Sequence, residues 1–96
     1  MKQAFRQQSV FITGASAGIG AALAEAFARQ GARVALAARR LERIEALARR
    51  IESVGGEALA VACDVTSRTS LDAAVKTVVD AFGGIHVVVA NAGFGV

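Results

Sequence analysis

Four short runs of small and β-branched apolar residues, at 9–13, 33–38, 57–62 and 85–90, alternate with three stretches whose apolar residues repeat at helical spacing. Strands that follow one another through single amphipathic helices form a parallel sheet, because each helix carries the chain back to the edge where the last strand began. Such crossovers are overwhelmingly right-handed. The first run carries β-branched Val10 and Ile12 and ends at a glycine turn. The helix after it is expected over about 18–30, where Ile19, Leu23, Ala26 and Phe27 make an apolar stripe broken by Gln30, and Gly31 closes it. The run 33–38 is apolar on both faces, as in a strand covered on both sides. A second helix, about 40–53, aligns Leu41, Ile44, Leu47, Ala48 and Ile51 and stops at Gly55-Gly56. Past the third run, residues 64–67 carry turn and capping chemistry, with Thr66 or Thr69 as the expected N-cap of a third helix. That helix places Leu71, Ala74, Val75, Val78, Val79 and Phe82 on one face and ends at Gly83-Gly84.

The turn between the first strand and the first helix reads Thr13-Gly14-Ala15-Ser16-Ala17-Gly18-Ile19-Gly20. Three glycines in seven positions leave main chain rather than side chains on the surface, so a ligand can approach the backbone itself. Free N–H groups at a helix start, with the positive end of its dipole, suit an anion such as a pyrophosphate. The lysine-bearing P-loop spacing occurs nowhere in the chain, and Leu23 stands where the last glycine of G-x-G-x-x-G would be.

The spacing Gly14, Gly18, Gly20 after Thr13 resembles T-G-x-x-x-G-x-G, the motif that opens the short-chain dehydrogenase/reductase family. Arg39 after the second strand, Asp64-Val65 after the third and Asn91-Ala92-Gly93 after the fourth fall in the family's order. The resemblance implies an α/β fold, a Rossmann-type doubly wound parallel sheet in the order 3-2-1-4, ending after strand four. Residues 1–96 would then form the cofactor-binding first part of a longer domain. In open α/β sheets ligands bind beyond the carboxyl ends of the strands, where the strand order reverses. The glycine turn, Arg39, Asp64 and Asn91 each follow such an end.

Several roles follow from the same resemblance. Gly14, Gly18, Ile19 and Gly20 would lie along the nucleotide's diphosphate, and Ser16 would face the adenosine ribose or its phosphate. Relatives that prefer NAD carry an acidic residue at the end of strand two, which holds the ribose 2′-OH. Here Ala38 occupies that place and Arg39 comes next, a pattern like that of NADP(H)-preferring members. A charge-assisted arginine contact contributes about 1.5–3 kcal/mol, so NADP(H) is expected over NAD(H). Ala17, at a position often basic in NADP-binding relatives, departs from that pattern. Asp64 would accept from the adenine amine while Val65 packs on the ring, the plainer alternative being an Asx turn before helix three. Asn91 would tie strand ends together, with Ala92 and Gly93 beside the cofactor, although Ala90 replaces the first asparagine of the family's N-N-A-G.

Composition narrows the function classes. Hydrophobic residues make up 54% of the chain, enough for a packed core. No apolar run approaches the roughly 18 residues of a membrane span, and residues 1–8 lack the apolar core of a signal peptide, so a cytoplasmic setting without a membrane partner is expected. The net charge of +3 raises the question of nucleic acid. However, Arg39, Arg40, Arg43, Arg49 and Arg50 alternate with Glu42, Glu45 and Glu52, as on a solvated helix face, with Glu45 and Arg49 placed to pair. With no Trp or Tyr to stack on bases, nucleic acid is not expected as a partner. Cys63 reads as a small core residue and His86 as an inert residue at a strand edge.

The family's reaction uses a tyrosine assisted by a lysine four residues on, and this chain has no tyrosine. No catalytic residue is therefore assigned within it, no metal site is indicated, and the chain alone is expected to be inactive. Two readings follow: the NADP(H)-binding portion of an oxidoreductase acting on carbonyl or alcohol substrates, or a non-catalytic nucleotide-binding or sensing module. Strand four is expected to show an unpaired apolar edge, open to self-association or aggregation.

Overall fold

The computed structural model describes residues 6–16 and 18–91. Its elements run β1 (Ser9–Thr13), α1 (Gly18–Arg29), β2 (Arg33–Ala38), α2 (Leu41–Ser53), β3 (Glu57–Ala62), α3 (Arg68–Phe82) and β4 (Val87–Ala90). All three strand pairings are parallel, in the order β3-β2-β1-β4. The reversal of strand order thus falls between β1 and β4, as expected.

Alternation along the strands sorts side chains onto two faces. Val10, Ile12, Val34 and Leu36 are buried on one face with Ala24 of α1 and Ile44, Leu47, Ala48 and Ile51 of α2. Phe11, Ala35, Ala37 and Val61 point the other way and pack with Ala74, Val78 and Phe82 of α3. β1 is buried throughout and β2 almost so, which accounts for their apolar residues on both sides. Cys63 is buried in the α3-side core, consistent with the packing role read from sequence. On β4, Val87 and Val89 pack against the first core, while Val88, in register with Phe11 on the α3 side, is 62% exposed. Among the described residues no helix is long and apolar enough to cross a membrane.

Several sequence expectations need correction. Ile19 does not belong to the buried stripe of α1: it is 71% exposed in the first turn, where Gly20 is the residue turned inward. Leu41 and Val79 sit at the margins of their helical stripes and are partly exposed. The N-cap of α3 is Ser67, whose hydroxyl oxygen accepts from the Ser70 amide at 3.2 Å. Thr66 stands one residue before that position, its hydroxyl donating to Asp64, and Thr69 already lies inside α3. β4 begins at Val87, two residues later than the apolar run, because Ile85 packs against the α3-side core instead. No Glu45–Arg49 pair forms among the described residues. The ion pairs are Arg50 with Glu25, linking α2 to α1, and Arg68–Asp72 and Lys76–Asp80 along α3.

Candidate functional site

The glycine turn leaves the carboxyl end of β1 and is fastened to the sheet on both sides. The Ala15 amide donates to the Ala37 carbonyl at 3.2 Å, next to the end of β2. On the β4 side, the Asn91 side-chain amide donates to the Gly14 carbonyl and the Asn91 backbone N–H donates to the Thr13 hydroxyl, each at 3.2 Å. Asn91 therefore ties the strand ends together as the sequence led one to expect.

The three glycines differ in what they do. Gly18 has φ +61° and nothing within 4 Å of the position a Cβ would take, so its exposed face is bare backbone turned to open space. A side chain there would be strained and would occupy the approach path. At Gly20 an added Cβ would run into the Gly14 carbonyl oxygen and come within 2.8 Å of Asn91 Nδ2. Gly20 thus lets α1 press against the end of β1, and its bare face is turned to protein.

Beyond the ends of β1, β2 and β3 lies a cavity of about 650 Å³ lined by Gly14, Ser16, Ala38, Arg39, Arg40, Arg43, Cys63, Asp64, Val65 and Thr66. Five predicted site residues, Gly14, Ser16, Arg39, Asp64 and Val65, meet on this one surface. Gly18, Ile19, Gly20 and Asn91 are not part of its lining, although Gly20 and Asn91 both abut Gly14. Ala92 and Gly93 lie outside the described residues, as does Ala17.

Asp64 makes the Asx turn that the sequence left open. Its Oδ1 accepts from the Thr66 amide at 3.0 Å and from the Thr66 hydroxyl at 2.7 Å. These bonds hold the carboxyl below its ordinary range, the hydroxyl contributing most and the Arg39 charge adding to it, while partial desolvation opposes them. Asp64 Oδ2 has no hydrogen bond among the described residues, so the turn and a ligand contact need not compete for one oxygen. The Asp64 amide accepts no such freedom: it donates to the Ser70 hydroxyl at 2.9 Å, fixing the loop to α3.

Arg40, Arg43 and Thr66 are lining residues to which the sequence reading gave no site role, the two arginines having been assigned to a solvated helix face. The available signal was the cluster Arg39, Arg40 and Arg43 at the junction of β2 and α2, with only Arg43 inside the helix. Ionic pairing along the helix explains neither arginine, since Arg39, Arg40 and Arg43 make no side-chain hydrogen bond or ion pair among the described residues. His86 also has a role that its edge position concealed. Its Nδ1 accepts the Ser9 amide at 2.9 Å, and its own amide donates to the Ser9 carbonyl at 2.9 Å, closing the start of the β1–β4 pair. Among the described residues no group of side chains is arranged to hold a metal ion.

Residues 8–96 match the family model described as short chain dehydrogenase. The chain belongs to the short-chain dehydrogenase family. Relatives in this family include an uncharacterised oxidoreductase of Mycobacterium bovis, 41% identical over 95 residues, covering 97% of this chain and 37% of the relative. A hydroxysteroid dehydrogenase-like protein 2 of Xenopus laevis is 45% identical over 91 residues, covering 88% of this chain and 22% of its own. Among solved structures, a metagenomic short-chain oxidoreductase in complex with NADP superposes with a TM-score of 0.83 at 40% identity, covering 88% of this chain and 38% of that one. A dehydrogenase/reductase from Sinorhizobium meliloti 1021 gives a TM-score of 0.88 at 38% identity, covering 92% and 35%. The chain therefore spans little more than a third of the length of these short-chain dehydrogenases, or less.

Proposed function

We propose that the chain is the NADP(H)-binding portion of a short-chain oxidoreductase that transfers hydride between nicotinamide and a carbonyl or alcohol substrate. The observation that carries this reading is the cavity at the strand ends, where bare glycine backbone, Arg39 and Asp64 share one surface and the end of β2 supplies Ala38 instead of a carboxylate. The similarity to a short-chain oxidoreductase solved with NADP supports it. When bound, the cofactor supplies the hydride.

The residues of this chain bind and orient. Gly14 and Gly18 admit the diphosphate to the main chain near the start of α1, whose dipole favours the negative charge. Ile19, exposed beside that turn, covers it with apolar surface. Gly20 and Asn91 hold the turn's shape, and Ala92 and Gly93 border the cofactor beyond β4. Ser16 and Arg39 face the adenosine ribose and its 2′-phosphate. Val65 packs against the adenine, and Asp64 Oδ2 accepts from its amine. No tyrosine is present in these 96 residues, so the proton transfer that accompanies hydride transfer does not fall to a tyrosine of this chain.

The test is a calorimetric titration with NADP⁺ and NAD⁺, repeated after Ala38→Asp with Arg39→Ala. Tighter binding of NADP⁺, reversed toward NAD⁺ by the double substitution, is expected. Unchanged relative affinities would remove Arg39 from the site.

A further inference from the structure

Arg39, Arg40 and Arg43 all line the cavity beyond β2. Elsewhere in the chain other basic side chains are engaged: Arg50 with Glu25, and Arg33 with the Gln7 carbonyl, the Ser9 hydroxyl and the face of Phe82. The three cavity arginines have no such partners among the described residues, although Glu42, Glu45 and Glu52 lie on α2. Arg43 lies in the first turn of α2, Arg40 is the extended N-cap of that helix and Arg39 directly follows β2, so the three converge on the cavity from the β2–α2 junction. The Arg40 N-cap makes no side-chain capping bond, so no side-chain acceptor covers the positive end of α2 where it meets this region. Against this charge the cavity lining offers one carboxylate, Asp64, whose Oδ1 is already held by Thr66.

A phosphomonoester carries about −1.5 to −2 charges and three strong acceptor oxygens. One guanidinium can engage two of those oxygens in parallel bonds and leaves the third. Resting on the NADP(H) reading above, we propose that Arg43 is a specificity-determining residue of this site, its guanidinium binding the nucleotide's 2′-phosphate together with that of Arg39. Discrimination between the phosphorylated and unphosphorylated ribose is then shared between the end of β2 and the first turn of α2. A carboxylate or its absence at position 38 does not decide it alone.

The experiment measures affinities of the full chain for NADP⁺, NAD⁺, adenosine 2′,5′-bisphosphate and adenosine 5′-monophosphate at one fixed ionic strength. Arg43→Gln is compared with Arg43→Lys and with Arg49→Gln, which removes the same charge from an exposed position of α2 outside the cavity lining. Arg43→Gln is expected to weaken the two 2′-phosphorylated ligands about tenfold to a hundredfold, as for loss of one charge-assisted contact, and the other two by less than about twofold. Arg43→Lys should recover part of the loss, and Arg49→Gln should leave the NADP⁺ to NAD⁺ ratio unchanged. An unaltered ratio in Arg43→Gln, or an equal fall in Arg49→Gln, overturns the role of Arg43 while leaving the cofactor reading in place. An unsubstituted chain that binds neither dinucleotide overturns both.

Discussion

The Asn91 side-chain amide donates to the Gly14 carbonyl at 3.2 Å across 77 residues of sequence, joining the end of β4 to the glycine turn that follows β1. The turn is thereby held from the side where the strand order reverses. Asn91→Ala removes that donor and should lower stability by about 1 kcal/mol, measured by chemical denaturation. Asn91→Asp should cost more, because it sets a carboxylate against the Gly14 carbonyl. Equal stability of the two variants would show that the bond is not what holds the turn.

Gly18 and Gly20 should fail differently. A methyl group at Gly20 meets the Gly14 carbonyl and Asn91, so Gly20→Ala should cost about 1–3 kcal/mol and lower the melting temperature. Asparagine tolerates the left-handed backbone of Gly18 better than other side chains do. Gly18→Asn should therefore stay folded and lose dinucleotide binding, and Gly18→Val should lose binding with its helical circular dichroism largely kept. Retained binding in either Gly18 variant would remove the need for close approach there.

Asp64 sets a pH dependence of known sign. Its carboxyl titrates below the ordinary carboxylate range in the folded chain, chiefly because the Thr66 hydroxyl donates to it. A depressed folded value means that the stabilisation is complete above the unfolded carboxyl's range and is lost as pH falls through the folded one. A carbon-detected NMR titration should place the Asp64 midpoint low. Thr66→Val should move it up, and Arg39→Ala should move it up by less. A midpoint indifferent to Thr66→Val would contradict the turn as drawn.

His86 holds the first amide of β1 through Nδ1, so the proton of its neutral ring sits on Nε2. His86→Ala should speed hydrogen exchange of the Ser9 amide, whereas amides in the middle of β1 should keep their protection. Uniform loss of protection along β1 would mean that His86 supports more than the strand's start.

Much of this was legible in the residues. Patterning alone placed β1 to β3 at their observed bounds, and α2 could be read from Ile44, Leu47, Ala48 and Ile51, all of which are buried. The misreadings came from residues whose fate depends on neighbours distant in sequence. Ile19 obeys the helical rhythm but stays exposed, and Thr66 lies one residue short of the cap position, which Ser67 fills while Thr66 turns its hydroxyl to Asp64. Glu45 and Arg49 have a pairing distance along the helix, yet the ion pair of α2 reaches across to Glu25 from Arg50. Arg43 shows the same limit at the site. Local spacing reads it as one more solvated charge, and only the packing of α2 against β2 and β3 sets it on the cavity that Gly14 and Asp64 share.

The most direct measurement is a crystal structure of the chain with NADP⁺ bound. The diphosphate should lie against the main chain between Gly14 and Gly20, with the 2′-phosphate at the guanidinium of Arg39 and the adenine beside Val65. A dinucleotide bound away from this turn, or a 2′-phosphate turned from Arg39, would contradict the account.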